Sequence, residues 1–196
     1  MRKFLLMSAI AVFGLTNVLA QDDNATTGGF EKGDIYASGS ISFATTSFDN
    51  LDSNQFVFSP EVGFFITENI SLEAGLIFGS SENFGEDKTS TFGGALGANY
   101  FFTPAKQFSF VVGAGLAYSS SKFEPNGGEE NTVNTFVISA APGVNYFVSD
   151  CIALRASVGA LSYTSSKEDT DGAEAQNTFR INLDLSNINF GVIYNF

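Results

Sequence analysis

The chain has 196 residues, a length that suits one domain, and its 21 acidic against 9 basic side chains give a net charge of −12. That balance excludes nucleic acid as a partner, because phosphate binding needs basic patches. Histidine is absent and there is one cysteine, which excludes imidazole catalysis, an intramolecular disulfide and the usual Cys/His zinc sites.

Residues 1–20 read as a cleaved signal peptide. Arg2 and Lys3 form a positive start, and Phe4 to Leu15 is apolar apart from Ser8 and Gly14. Val18-Leu19-Ala20 then places small residues for cleavage between Ala20 and Gln21. The apolar run is too short to span roughly 30 Å of hydrocarbon, and no Cys follows it to carry a lipid anchor. Removing Arg2 and Lys3 leaves 7 basic against 21 acidic residues, a net of −14. Residues 21–33 are polar and glycine-rich and read as a flexible lead-in to a barrel domain over 34–196.

From residue 34 onward the dominant signal is alternation with a period of two, which is the period of strands. The composition agrees, with 22 Phe, 6 Tyr and 20 Gly against 4 Pro. A first strand over 34–45 puts Ile35, Ala37, Gly39, Ile41 and Phe43 on one face. A second over 55–66 presents Phe56, Phe58, Pro60, Val62, Phe64 and Ile66, and a third over 70–80 presents Ile70 to Phe78. The fourth, over 89–102, runs Phe92 to Phe102; the fifth, over 107–119, runs Phe108 to Tyr118. A sixth over 132–148 carries Phe136 to Val148. The seventh, over 152–164, carries Ile152, Leu154, Ala156, Val158 and Ala160 on one face. The eighth ends on Ile188, Phe190, Val192, Tyr194 and Phe196.

The connections alternate in apparent length. Residues 67–69, 103–106 and 149–151 read as tight hairpins, and 46–54, 81–88, 120–131 and 165–177 as longer polar loops. Short turns on one rim and long loops on the other is the layout of outer-membrane barrels, whose short turns are periplasmic. An even strand number then puts both termini on the periplasmic side. Val62–Leu72 resembles Val144–Leu154 as a hairpin repeat, and Leu96–Phe110 matches less closely; in each an aromatic pair precedes the turn. Rings there are expected at the membrane–water boundary.

A soluble ligand-carrying barrel of the lipocalin kind would also alternate, but its second face would meet water and carry many charges. Here that face holds small and polar residues such as Ser71, Gly75, Gly79, Gly113, Gly115, Asn145, Ser157, Gly159 and Asn189. These suit the narrow lumen of eight strands, with the apolar rows pointing into lipid. The fold class expected is therefore all-β, an eight-stranded antiparallel up-and-down transmembrane β-barrel. Glu61, Glu73 and Arg155 fall on the inner face and are expected to pair with one another as a structural plug, because a lone buried charge is expensive. Pro60 and Pro142 lie in mid-strand, where local bulges would accommodate them. Phe179, Ile181, Leu183 and Leu185 are out of phase with Ile188 onward, so a bulge is expected near Ser186-Asn187.

The cleavage region Val18-Leu19-Ala20-Gln21, the eight alternating segments and the terminal Ile188-Asn-Phe190-Gly-Val192-Ile-Tyr194-Asn-Phe196 resemble the small bacterial outer-membrane β-barrel family. OmpX-like and OmpA-barrel-like proteins belong to that group. The Leu-Ala-Gln junction and Phe/Asn-rich style are similar to outer-membrane proteins of Bacteroidetes-type bacteria. The resemblance implies a Gram-negative outer-membrane location. It also implies recognition by the barrel assembly machinery through the C-terminal Phe190, Val192, Tyr194 and Phe196.

The four polar loops hold 12 of the 21 acidic residues, offset by Lys88, Lys122 and Lys167 alone. Divalent cations bridging lipopolysaccharide, or a basic extracellular ligand, are the partners such loops could take; solvated loops kept soluble by charge are the simpler reading. Asp169-Thr170-Asp171-Gly172 opens like a calcium loop but lacks the later ligands. Cys151 sits at a short turn and reads as structural. The expectation is a non-enzymatic outer-membrane barrel with a structural or interaction role and with no catalytic, metal or cofactor site. A membrane-embedded lipid-modifying enzyme, a narrow pore and a soluble carrier are the alternatives.

Overall fold

The computed structural model describes residues 28–48, 51–83, 87–159, 161–182 and 188–196. The signal segment, the Ala20–Gln21 junction, Asp49, Glu86 and the bulge expected near Ser186-Asn187 lie outside them.

Ten strand segments form one antiparallel sheet: β1 Ile35–Phe48, β2 Leu51–Phe65, β3 Ile70–Glu82, β4 Lys88–Phe101, β5 Phe108–Glu124, β6 Asn131–Phe147, β7 Ile152–Val158, β8 Leu161–Glu168, β9 Gln176–Ile181 and β10 Ile188–Asn195. β1 to β6 pair in sequence as hairpins. β6 then takes β7 along Gly143–Phe147 and β8 along Val133–Ala140. These two segments are therefore one wall strand, and β9 with β10 makes the next. Pairing of β10 with β1 closes the wall. The result is the closed eight-stranded barrel that the alternation predicts.

Strand seven is broken where the sequence shows continuous alternation. Gly143 pairs Ser157 and Ala140 pairs Leu161, so the register between them slips by one residue opposite Ala141 and Pro142. One extra residue is a bulge, and it reverses which parity faces out. Ile152 and Leu154 are exposed before it, Leu161 and Tyr163 after it. The expected single strand over 152–164 is thus corrected, and Pro142 lies opposite the bulge. Pro60 is handled differently: it keeps Gly39 as its partner in β1, while the β2–β3 ladder lapses between Phe58–Phe78 and Glu61–Gly75 with no residue inserted.

The polar connections are shorter than their composition suggests. The β1–β2 hairpin pairs out to Phe48–Leu51. β3 and β4 pair to Glu82–Lys88, and β5 and β6 to Phe123–Asn131. Ser, Thr and Asn continue a ladder as well as apolar residues do, and they add cross-strand bonds such as Thr91–Ser121 at 2.8 Å. The polar stretches are therefore mostly strand rising above the apolar band, and the contrast between long and short connections largely disappears.

Phe58, Leu76, Leu96, Leu116, Ile138, Leu154 and Phe190 are all exposed on the outer wall. Such a continuous apolar exterior is incompatible with water and suits hydrocarbon. The aromatic pairs before the turns split between the two faces, since neighbours in a strand point to opposite sides. Phe64, Tyr100 and Tyr146 face out, whereas Phe65, Phe101 and Phe147 are buried in the lumen. The expectation that both members sit at the membrane boundary is corrected for the inward ring of each pair, which is buried.

Residues 28–30 of the expected flexible lead-in are packed, and Glu31, Lys32 and Gly33 after them are exposed. Phe30 is 1 % exposed; its N–H donates to the Pro104 carbonyl at 2.9 Å. Its ring lies 4.8 Å from Phe65 and from Phe147, 5.3 Å from Tyr36 and 5.4 Å from Phe101. Gly28 and Gly29 pass so close to Phe147, Ser149 and Ala105 that a Cβ would meet them at 2.7 Å. Five rings so stopper the barrel at the end carrying both described chain termini.

Candidate functional site: the lumen

Above the stopper lies a polar layer built from four wall strands. Tyr36 enters from β1, Ser71 and Glu73 from β3, Asn145 from β6 and Arg155 from β7. Glu73 Oε1 accepts from Tyr36 Oη at 2.7 Å and from Arg155 Nη1 at 2.7 Å. The single Tyr36 hydroxyl proton is thereby committed, so Ser71 donates to Tyr36 Oη across 2.7 Å. Asn145 Oδ1 accepts from Arg155 Nε at 3.1 Å, and the guanidinium sits 5.9 Å from the Tyr36 ring and 5.7 Å from that of Phe101. The Tyr36 ring lies over Gly63, where any Cβ would overlap it. Nη2 of Arg155 and Nδ2 of Asn145 are buried without a hydrogen-bond partner among the described residues.

The structure brings Glu73 and Arg155 together and leaves Glu61 out of the ion pair. The Glu61 side chain lies across Gly75, with 2.6 Å between its Cγ and the place a Cβ would occupy. It accepts from Ser38 Oγ at 3.3 Å. Of the three charges expected to pair, Glu73 and Arg155 are in direct contact, and Glu61 lies farther off on the same lumen, within electrostatic reach of both. Tyr36 was missed in sequence, although a large aromatic on an otherwise small-residue face, opposite a glycine, is the signal that would have found it.

Over this layer the lumen opens into a cavity of about 330 Å³, with Glu61, Glu73 and Arg155 at its floor and walls of Gly, Ala and Ser. Among the described residues no group of three or more acidic or cysteine side chains is placed to hold a metal. Lys122 pairs with Glu130 at 2.8 Å and with Glu124 at 3.1 Å, and Asp87 accepts from the Asn126 N–H at 2.9 Å. Cys151 is a half-buried free thiol 3.9 Å from Ser149 Oγ. Phe190, Val192, Tyr194 and Phe196 all face outward.

An apolar exterior, closed antiparallel pairing and a polar lumen define a small transmembrane β-barrel. The chain belongs to the family described as outer membrane protein beta-barrel domain, which it matches over residues 8–196, and it is an outer-membrane protein of the Gram-negative kind. No curated protein matches the chain in sequence. Among solved structures it is similar to the N-terminal β-barrel domain of Pseudomonas aeruginosa OprF, at 16 % identity and a TM-score of 0.51, covering 85 % of this chain and 100 % of that one. It is also similar to Neisserial surface protein A, at 14 % identity and a TM-score of 0.52, covering 83 % and 97 %. At these identities the likeness concerns fold alone.

Proposed function

We propose that the protein is a non-enzymatic outer-membrane barrel with a structural and interaction role, presenting an acidic rim to the cell exterior. The observation that carries this reading is the lumen itself. A five-ring stopper and a hydrogen-bonded Glu73–Arg155 layer block passage from one end to the other, which disfavours the pore. The ionisable groups of that layer are engaged with one another, and the chain has no histidine to serve as a general base.

In this reading the signal segment is removed before Gln21, the barrel assembly machinery takes the chain by its terminal Phe190–Phe196 pattern, and both termini are periplasmic. Outer-membrane lipid and lipopolysaccharide surround the wall. The rim formed by Glu124, Glu129, Glu130, Asp169, Asp171 and Glu174 then meets basic partners or divalent cations outside the cell. Neutralising these six to Gln or Asn is expected to cut binding of fluorescent polylysine to protein-bearing phosphatidylcholine vesicles several-fold. Binding to the unaltered protein should also weaken as salt rises, because exposed charges are screened. Equal binding by both proteins would overturn the interaction role of the rim.

A further inference from the structure

The stopper reaches across the barrel from wall to wall. With eight wall strands, β2 and β6 stand opposite each other, four strands apart whichever way round is taken. Phe30 nonetheless lies 4.8 Å from Phe65 of β2 and 4.8 Å from Phe147 of β6. Its other ring partners are Tyr36 of β1 and Phe101 of β4. Neighbouring strands are about 4.8 Å apart, so in an open sheet β2 and β6 would be separated by roughly 19 Å. One phenyl ring cannot touch both. The socket for Phe30 therefore exists only once the sheet has curled round and β1 has met β10.

The backbone of Gly28-Gly29-Phe30 depends on the same closure. The Phe30 N–H donates to the Pro104 carbonyl in the β4–β5 turn. Gly28 lies against Phe147 and Ser149, and Gly29 against Ala105, each with no room for a Cβ. From the last strand, Asn195 Nδ2 donates to the Gly29 carbonyl at 3.4 Å and to Asp34 Oδ2 at 3.1 Å. Asp34 Oδ2 also accepts from the Glu31 N–H at 2.8 Å. One side chain of β10 thus ties the segment to the residue that leads into β1.

We propose that residues 28–30 are a latch that docks after the barrel has closed and then holds it closed. Contacts formed after the rate-limiting step leave the folding rate alone and slow unfolding. The latch thereby gives the closed barrel a persistence that pairing of the wall strands alone does not supply. It needs no ligand, and it works whatever the acidic rim binds.

The test follows the full chain folding into phosphatidylcholine vesicles and unfolding from them in guanidinium, timed by the heat-sensitive gel mobility of closed barrels. Phe30→Ala is expected to fold within about twofold of the unaltered rate and to unfold at least about a hundredfold faster. Phe30→Leu should show the same split on a smaller scale, about tenfold or less in unfolding. Should Phe30→Ala fail to close, Phe30→Leu carries the comparison. Asn195→Ala should speed unfolding about fivefold through loss of the tie to Gly29 and Asp34. On top of Phe30→Ala it should add little, because the latch is already loose. Folding slowed in proportion to the lost stability, in either Phe30 variant, would place docking before closure and overturn the latch. Unfolding no faster than that of the unaltered protein would overturn it too. Equal effects of Asn195→Ala in both backgrounds would overturn the tie to the last strand.

Discussion

Replacing Arg155 with Met is expected to remove about 3–5 kcal/mol of unfolding free energy, because it strands Glu73 as a buried charge. The guanidinium and the carboxylate are 16 % and 12 % exposed and 2.7 Å apart, so water reaches only a small part of either group and replaces the lost partner poorly. Glu73→Gln should cost a similar amount by stranding the guanidinium. The double variant Glu73→Gln/Arg155→Met should be more stable than either single one, since a matched neutral pair carries no such penalty. Guanidinium titration of the protein refolded in vesicles, read by the heat-sensitive gel mobility of folded barrels, measures all three. Single variants that lose under 1 kcal/mol and simply add would show that the layer is hydrated and exchangeable.

The second large effect belongs to Phe30. Its ring touches four others inside the terminal end of the barrel, and truncating a fully buried Phe to Ala costs about 3–5 kcal/mol. Phe30→Ala is expected to fall in that range in the same titration, whereas Phe30→Leu, closer in volume, should lose under about 1.5 kcal/mol. Because Glu73 and Arg155 seal the lumen independently, Phe30→Ala should weaken the barrel without opening a channel. An unchanged midpoint would mean that residues 28–33 do not hold the ring in its place.

The pattern of alternating residues carries the wall of this barrel openly. Phe56 to Phe64 and Phe108 to Tyr118 show the period of two, and the small, polar residues between them mark which face meets lipid. What stays hidden is whatever depends on register between strands distant in sequence. Glu73 and Arg155 are recognisable as inner-face charges, but their meeting is set by barrel closure between β3 and β7. Glu61 shares their face and is nonetheless left aside. The register slip between Ser157 and Leu161 is hidden by the unbroken alternation that starts at Ile152, although the exposed Leu161 and Tyr163 carry the opposite parity in sequence. Phe30 is a lone aromatic in polar surroundings and has no period to betray it. Polar composition misleads at the rim, where Ser and Thr form strand.

A barrel with its lumen sealed at one end is the centre of this account, and planar-bilayer recording of the refolded protein tests it directly. The expected trace shows no steady conductance at any applied voltage beyond brief flickers. A stable, ohmic conductance from the unaltered chain would contradict the sealed lumen.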